Sequence, residues 1–155
     1  MSSHEQQQEL KIKFSTSPEY THKIFDIIEE LMDMVVLDKE DRNEFIIALG
    51  EALDNAITHG NKLDRQKFIH IECYITPDQI CCSIMDEGDG FDHQSYLNKP
   101  MEQFYPEVLM QKARKGEIGG LGIGLIRKCV NEVSFSQGGR KIILMKQLAR
   151  NLVKK

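Results

Sequence analysis

Glu51, Asn55 and His59 recur four residues apart inside the run EFIIALGEALDNAITHGN, Glu44 to Asn61. On a helix this spacing sets them along one stripe, with a carboxylate and an amide one turn apart and reachable by a single ligand. The same residues also suit a solvated helix face, and the spacing alone does not separate the two readings. A second unusual carboxylate is Asp86. Ile80, Cys82 and Ile84 alternate along a strand, and the two-residue period carries Asp86 to the same inner face as the chain breaks into Glu87-Gly88-Asp89-Gly90. A carboxylate on a core face is costly unless something bonds it. It either turns back on its own loop or accepts from a buried ligand donor, with Gly88 and Gly90 leaving room for that ligand. The third group is Gly119-Gly120-Leu121-Gly122-Ile123-Gly124-Leu125. Gly120, Gly122 and Gly124 let backbone amides face outward where a helix opens, an arrangement suited to phosphate oxygens, although such loops also serve as plain hinges. The motif lacks the final Lys-Ser/Thr of a P-loop, and no strand directly precedes it.

The elements that must hold these residues follow from periodicity. Phe45, Leu49, Ala52 and Ala56 form the core-facing stripe of the helix that carries Glu51 and Asn55. Asp38 caps it, and Gly60 with Asn61 stops it. An earlier helix starts at Pro18, uses Tyr20, Ile24, Ile27/Ile28, Leu31 and Val35, and ends near Leu37. Leu10 to Phe14 is a weak first strand at an edge. Ile69, Ile71, Cys73 and Ile75 form the apolar face of a strand joined by Thr76-Pro77-Asp78-Gln79 to Ile80–Asp86. Residues 91 to 118 are irregular, with a short helix at Glu107–Lys115, and a connection this long reads as a lid, a binding loop or disorder. A helix through Ile126 and Val130 and a hairpin of Val133–Gln137 with Lys141–Leu148 complete the chain.

The 155 residues suit one domain, 41% hydrophobic and 28% charged, with no long apolar run. A net charge of −4 argues against nonspecific nucleic-acid binding. The polar start MSSHEQQQEL reads as a short tail on a cytoplasmic protein. Cys73, Cys81, Cys82 and Cys129 contain no C-x-x-C pair, and read as buried free thiols rather than metal ligands.

Taken in order, Glu51-x-x-x-Asn55 on a helix, Asp86-x-Gly88-x-Gly90 at a strand end and Gly120-x-Gly122-x-Gly124 at a helix start resemble the GHKL ATPase superfamily, which includes gyrase, MutL and sensor histidine kinases. The chain more closely resembles the small serine kinases that act as anti-sigma factors in bacterial partner-switching systems. GEALDNAITHGN is similar to their N box, DEGDGFD to their first glycine box and GGLGIGL to their second, and the likeness spans about residues 10 to 148.

The resemblance implies an α+β fold, a two-layer sandwich with a mixed, mainly antiparallel sheet covered by three helices. It implies ATP and Mg²⁺ as cofactors. Asp86 would accept from the adenine amino group, with Gly88 and Gly90 at the base. Asn55 would coordinate Mg²⁺ between the phosphates, and Glu51 would be the general base. The amides around Gly120, Leu121, Gly122, Ile123 and Gly124 would hold the phosphates, and residues 92 to 118 would form the ATP lid. His59 and Lys62 lie close enough in sequence to approach phosphate, and a solvated helix end explains both equally well. Histidine kinases usually carry Asn where Glu51 stands, so Glu51 favours a Ser or Thr acceptor, whose hydroxyl needs a base. The relatives commonly have Thr after the last hairpin glycine; Arg140 and Lys141 stand here instead, which puts adenine affinity in question.

The implied partners are a sigma factor and a small anti-anti-sigma protein, with no direct nucleic acid, no membrane, and a homodimer through the edge strand. The alternatives are a regulator that sequesters a partner without phosphoryl transfer and an ATPase module serving a histidine-containing partner.

Overall fold

The computed structural model describes residues 7–34, 38–92 and 121–148. Several expectations lie outside them: most of the polar start, Val35 and the end of the first helix near Leu37, the lid beyond Asp92 with its short helix, and Gly120.

Strand β1 (Gln8–Ser15) is followed by helix α1 (Pro18–Met34), which begins at its proline as expected. Its buried stripe is Ile24, Ile28 and Met32, whereas Tyr20 and Ile27 are exposed. Adjacent isoleucines point about 100° apart on a helix, so only Ile28 of the pair faces the core. Helix α2 (Lys39–Asn55) is capped by Asp38, whose side chain accepts from the Glu40 N–H at 3.2 Å. It buries Phe45, Ala48, Leu49, Ala52 and Leu53, then widens into one π-turn over Ala56–Gly60, closed by the Asn61 N–H on the Ala56 carbonyl. π-turns of this kind concentrate at functional sites because the extra residue displaces the local backbone.

Strands β2 (Phe68–Ile75) and β3 (Gln79–Met85) form the expected hairpin. Its turn is held by Thr76 Oγ1, which accepts from the Asp78 and Gln79 amides. Helix α3 (Leu121–Cys129), β4 (Glu132–Ser136) and β5 (Lys141–Gln147) follow. The sheet order is β1-β2-β3-β5-β4, and every pairing among the described residues is antiparallel. The register aligns Ile12, Ile71, Ile84 and Ile142 across the strands, and this row packs with the buried residues of the helices in one core. The result is the α+β sandwich expected from the sequence, with three helices. No described helix is long and apolar enough to cross a membrane.

The expectation of four free, buried thiols fails for two of them. Cys73 and Cys82 stand directly opposite on the inner face of the β2–β3 hairpin and are disulfide-bonded. The turn at Pro77 sets that register, which sequence parity alone left open. Cys129 is free and buried, and Cys81 is free and only partly buried.

Lys146 on β5 is buried, and its Nζ donates to Glu44 Oε2 at 2.8 Å and to the Cys129 carbonyl at 2.9 Å. It thereby ties the start of α2 to the end of α3. Lys146→Met leaves the carbonyl unpaired and is expected to cost about 2 kcal/mol of stability. A urea-unfolding midpoint equal to the parent's would refute this.

Candidate functional site

The last two turns of α2 build the first wall of the site. The apolar stripe seats the helix on the core, and that leaves Glu51 and Asn55, both half-buried, on the side that faces α3. Gly122, in the first turn of α3, sits against this pair. A Cβ placed on Gly122 would stand 3.0 Å from Glu51 Oε2 and 3.1 Å from Asn55 Nδ2. Any larger residue would fill the space between the two helices. The glycine motif differs from its expected form in one respect. The helix begins at Leu121, so Gly122 and Gly124 lie inside its first turn, not in a loop before it. Amides of a first helical turn have no intrahelical acceptor, so the change leaves them available.

The second wall is the end of β3. The Asp86 N–H stays paired with the Arg140 carbonyl of the neighbouring strand at 3.0 Å, while Asp86 Oδ1 accepts from the Gly88 N–H at 2.8 Å. Asp86 Oδ2 lies against Gly60, where a Cβ would collide with it, and a Cβ on Gly88 would collide with the Gly60 carbonyl. Two glycines thus let the end of α2 and the loop after β3 touch through their backbones.

Between these walls lies a cavity of about 510 Å³, within the range of small-molecule and cofactor sites. Asn55, Asp86, Gly90, Gly122 and Ile123 all line it, as do His59 and Lys62. His59 and Lys62 are exposed and stand at the cavity rim, an arrangement that suits a solvated helix end and an approach to phosphate alike. Lys62 adopts a φ of 54° there, uncommon for a side chain of its size. Glu51 stands behind Gly122 and Asn55 rather than on the cavity wall. Gly88 and Gly124 are buried; Gly88 acts through its contact with Gly60. Gly120 lies outside the described residues, and for Leu121 only the backbone is described.

Electrostatics distinguish the two carboxylates. Burial pushes the Glu51 carboxyl above its ordinary value, and the neighbouring Asp54 pushes it the same way. Burial also raises the Asp86 carboxyl, opposed by the Gly88 amide and by the Arg140 and Lys67 cations.

Of the two cations noted after the last hairpin glycine, Arg140 lines the cavity with its Nε donating to the Gln137 carbonyl at 3.1 Å, whereas Lys141 starts β5 outside it. Sequence reasoning missed other wall residues. Phe91 and Phe135 meet edge-to-face with centroids 5.3 Å apart and close one side. Phe135 was findable by parity, since Val133 and Phe135 share the inner face of β4. Gly60 and Asn61 were visible only as a helix stop.

Residues 14–146 match the family described as histidine kinase-like ATPase domain, a span that runs from the end of β1 into β5. The chain is similar to the anti-sigma F factor of Clostridium perfringens, 28% identical over 112 residues that cover 70% of this chain and 74% of that protein. It is similar to the serine-protein kinase RsbW of Oceanobacillus iheyensis, 26% identical over 145 residues, 93% of this chain and 89% of that protein. The serine-protein kinase RsbW of Bacillus licheniformis is 25% identical over 145 residues, 93% and 88% of the two chains. With the family match extending across both walls of the cavity and the sheet beneath them, this chain belongs to the histidine kinase-like ATPase domain family, of the GHKL type.

Proposed function

We propose that this chain is an ATP-dependent protein-serine/threonine kinase acting as an anti-sigma factor, which phosphorylates a small anti-anti-sigma protein and sequesters a sigma factor. The observation that carries the kinase reading is the position of Glu51, one turn before Asn55, with Gly122 against both and Asp86 across the cavity. The names of the relatives, anti-sigma F factor and serine-protein kinase RsbW, support the regulatory part. In this reading residues 1–155 form a single kinase domain with its core at about 10–148 and a lid at about 92–118, in a cytoplasmic setting, with the edge strand β1 available for a homodimer.

Asp86 accepts from the adenine amino group, with Gly90 and Ile123 beside the nucleotide. The amides opening α3 face the phosphates from the helix N-terminus, where the dipole favours negative charge. Asn55 presents a neutral side-chain oxygen on the cavity wall, which fits Mg²⁺, an ion that usually takes one or two protein oxygens plus phosphates and water. When bound, Mg²⁺ neutralises charge on the phosphates during transfer. Glu51 takes the proton of the attacking hydroxyl as the γ-phosphoryl leaves.

The test is incubation of the purified protein and host lysate with labelled MgATP, followed by acid treatment of the products. Acid-stable label on a small protein is expected, since phosphoserine and phosphothreonine survive acid. Acid-labile label would move the reading to a histidine acceptor, and binding without transfer to a sequestering regulator.

A pH prediction follows from Glu51. A base works only when ionised, and its carboxyl sits above the ordinary 4.5. Transfer at saturating ATP is therefore expected to fall on the acid side at a higher pH than an unperturbed carboxylate would give. Asp54→Asn removes one of the two causes and should move that limb to lower pH; an unmoved limb would count against Glu51 as the base.

A further inference from the structure

Asn61 is fully buried, and its side-chain amide occupies an unusual place. The β2–β3 ladder is regular up to His70 opposite Met85, and continuing that register would set Phe68 opposite Glu87. The two backbones do not meet there. Asn61 Oδ1 accepts from the Glu87 N–H at 2.7 Å, and Asn61 Nδ2 donates to the Phe68 carbonyl at 2.9 Å. The Phe68 N–H is taken by the Glu87 carboxylate, at 2.6 Å to Oε1. One side-chain amide thus replaces a rung of the ladder. It satisfies a donor on one strand and an acceptor on the other while holding them an amide's width apart. The Asn61 backbone is fixed as well, its N–H on the Ala56 carbonyl at 2.8 Å and its carbonyl accepting from the Asp64 N–H at 3.0 Å.

We propose that Asn61 is a positioning residue of the nucleotide site, a wedge that frees the Asp86–Gly90 loop from β2 and registers it against the end of α2. The inference rests on the nucleotide reading above. With Glu87 held off Phe68, the Asp86 N–H stays on the Arg140 carbonyl just before β5 and Asp86 Oδ1 on the Gly88 N–H, and the loop closes on Gly60, the residue before the wedge. Asn55 and Asp86, which meet opposite ends of the nucleotide, are therefore set relative to one another through the Asn61 amide together with the Gly60 contacts it adjoins. A backbone rung in its place would draw Glu87 back toward Phe68 and carry Asp86 off Gly60.

Asn61→Asp tests the wedge because its defect is reversible by protonation. As a carboxylate the side chain still accepts from Glu87 but repels the Phe68 carbonyl; as a neutral acid it donates again, and burial favours that form as pH falls. ATP binding, titrated calorimetrically, is expected to be about tenfold weaker than wild type at pH 8, with the deficit closing toward pH 5.5. In the nucleotide-free proteins, hydrogen exchange over Asp86–Gly90 should be faster in the variant at pH 8 and return toward the wild-type rate at low pH. A variant that matches wild type at pH 8 in affinity and exchange, or a deficit in either that does not change with pH, overturns the proposal. Should this variant not fold, Glu87→Ala, at an exposed position, opens the Phe68 N–H half of the junction. It should weaken ATP about fivefold, and unchanged affinity there overturns the proposal. Wild-type protein that does not bind ATP would sink the nucleotide reading instead, and the exchange comparison would still decide the wedge.

Discussion

Replacing Glu51 by alanine is expected to lower phosphoryl transfer about a thousandfold while leaving MgATP affinity unchanged or slightly tighter. The direction of the binding effect follows from charge. Glu51 stands beside Gly122 at the start of α3, and in the proposed site its carboxylate would oppose the negative phosphates assigned to the helix amides. Its removal takes away that repulsion and also the proton acceptor, so binding and chemistry move independently. Glu51→Gln keeps the volume between α2 and Gly122 and should share the defect, which separates loss of the base from collapse of the helix contact. Transfer that persisted in both variants would place the base elsewhere, and a matching loss of affinity would recast Glu51 as a binding residue.

The parts of this arrangement legible in the sequence were those governed by local period. The spacing of four, three and four from Phe45 to Ala56 marked the buried face of α2, and with it the side on which Glu51 and Asn55 emerge. The alternation Ile80, Cys82, Ile84 carried Asp86 to the inner face, where it lines the cavity. What sequence could not supply were contacts set by register and by close approach. The Cys73–Cys82 bond depends on which residues the Pro77 turn places opposite one another. The stacking of Gly60, Gly88 and Asp86 depends on two loops 26 residues apart meeting with no side chain between them. Arg140 reached the cavity because Gly138 and Gly139, at φ 67° and 94°, turn the β4–β5 connection back over Phe91. In each case the residue types are ordinary and their meaning lies in a partner remote in sequence.

Asp86→Asn is expected to weaken ATP at least about a hundredfold and, in the opposite direction, to leave the nucleotide-free protein as stable as the parent or more so. The loss follows from the hydrogen-bond inventory. Asp86 Oδ1 is engaged by the Gly88 amide, so an asparagine that keeps this bond must put its NH₂ where Oδ2 stood, against Gly60. A ligand amino group then meets a donor instead of an acceptor. The gain in stability has a different origin. Burial raises the folded-state carboxyl above its unfolded value of 3.8. The stability contributed by its protonated form is fully present below that value and is lost as pH rises through the folded one. At neutral pH the parent therefore bears the cost of a half-buried charge, which the amide does not carry. Calorimetric titration with ATP and thermal unfolding of the nucleotide-free proteins at pH 7 read the two effects separately. A variant that lost both affinity and stability would mean that Asp86 holds its loop together rather than waiting for a ligand. One that kept its affinity would remove the carboxylate from adenine recognition altogether.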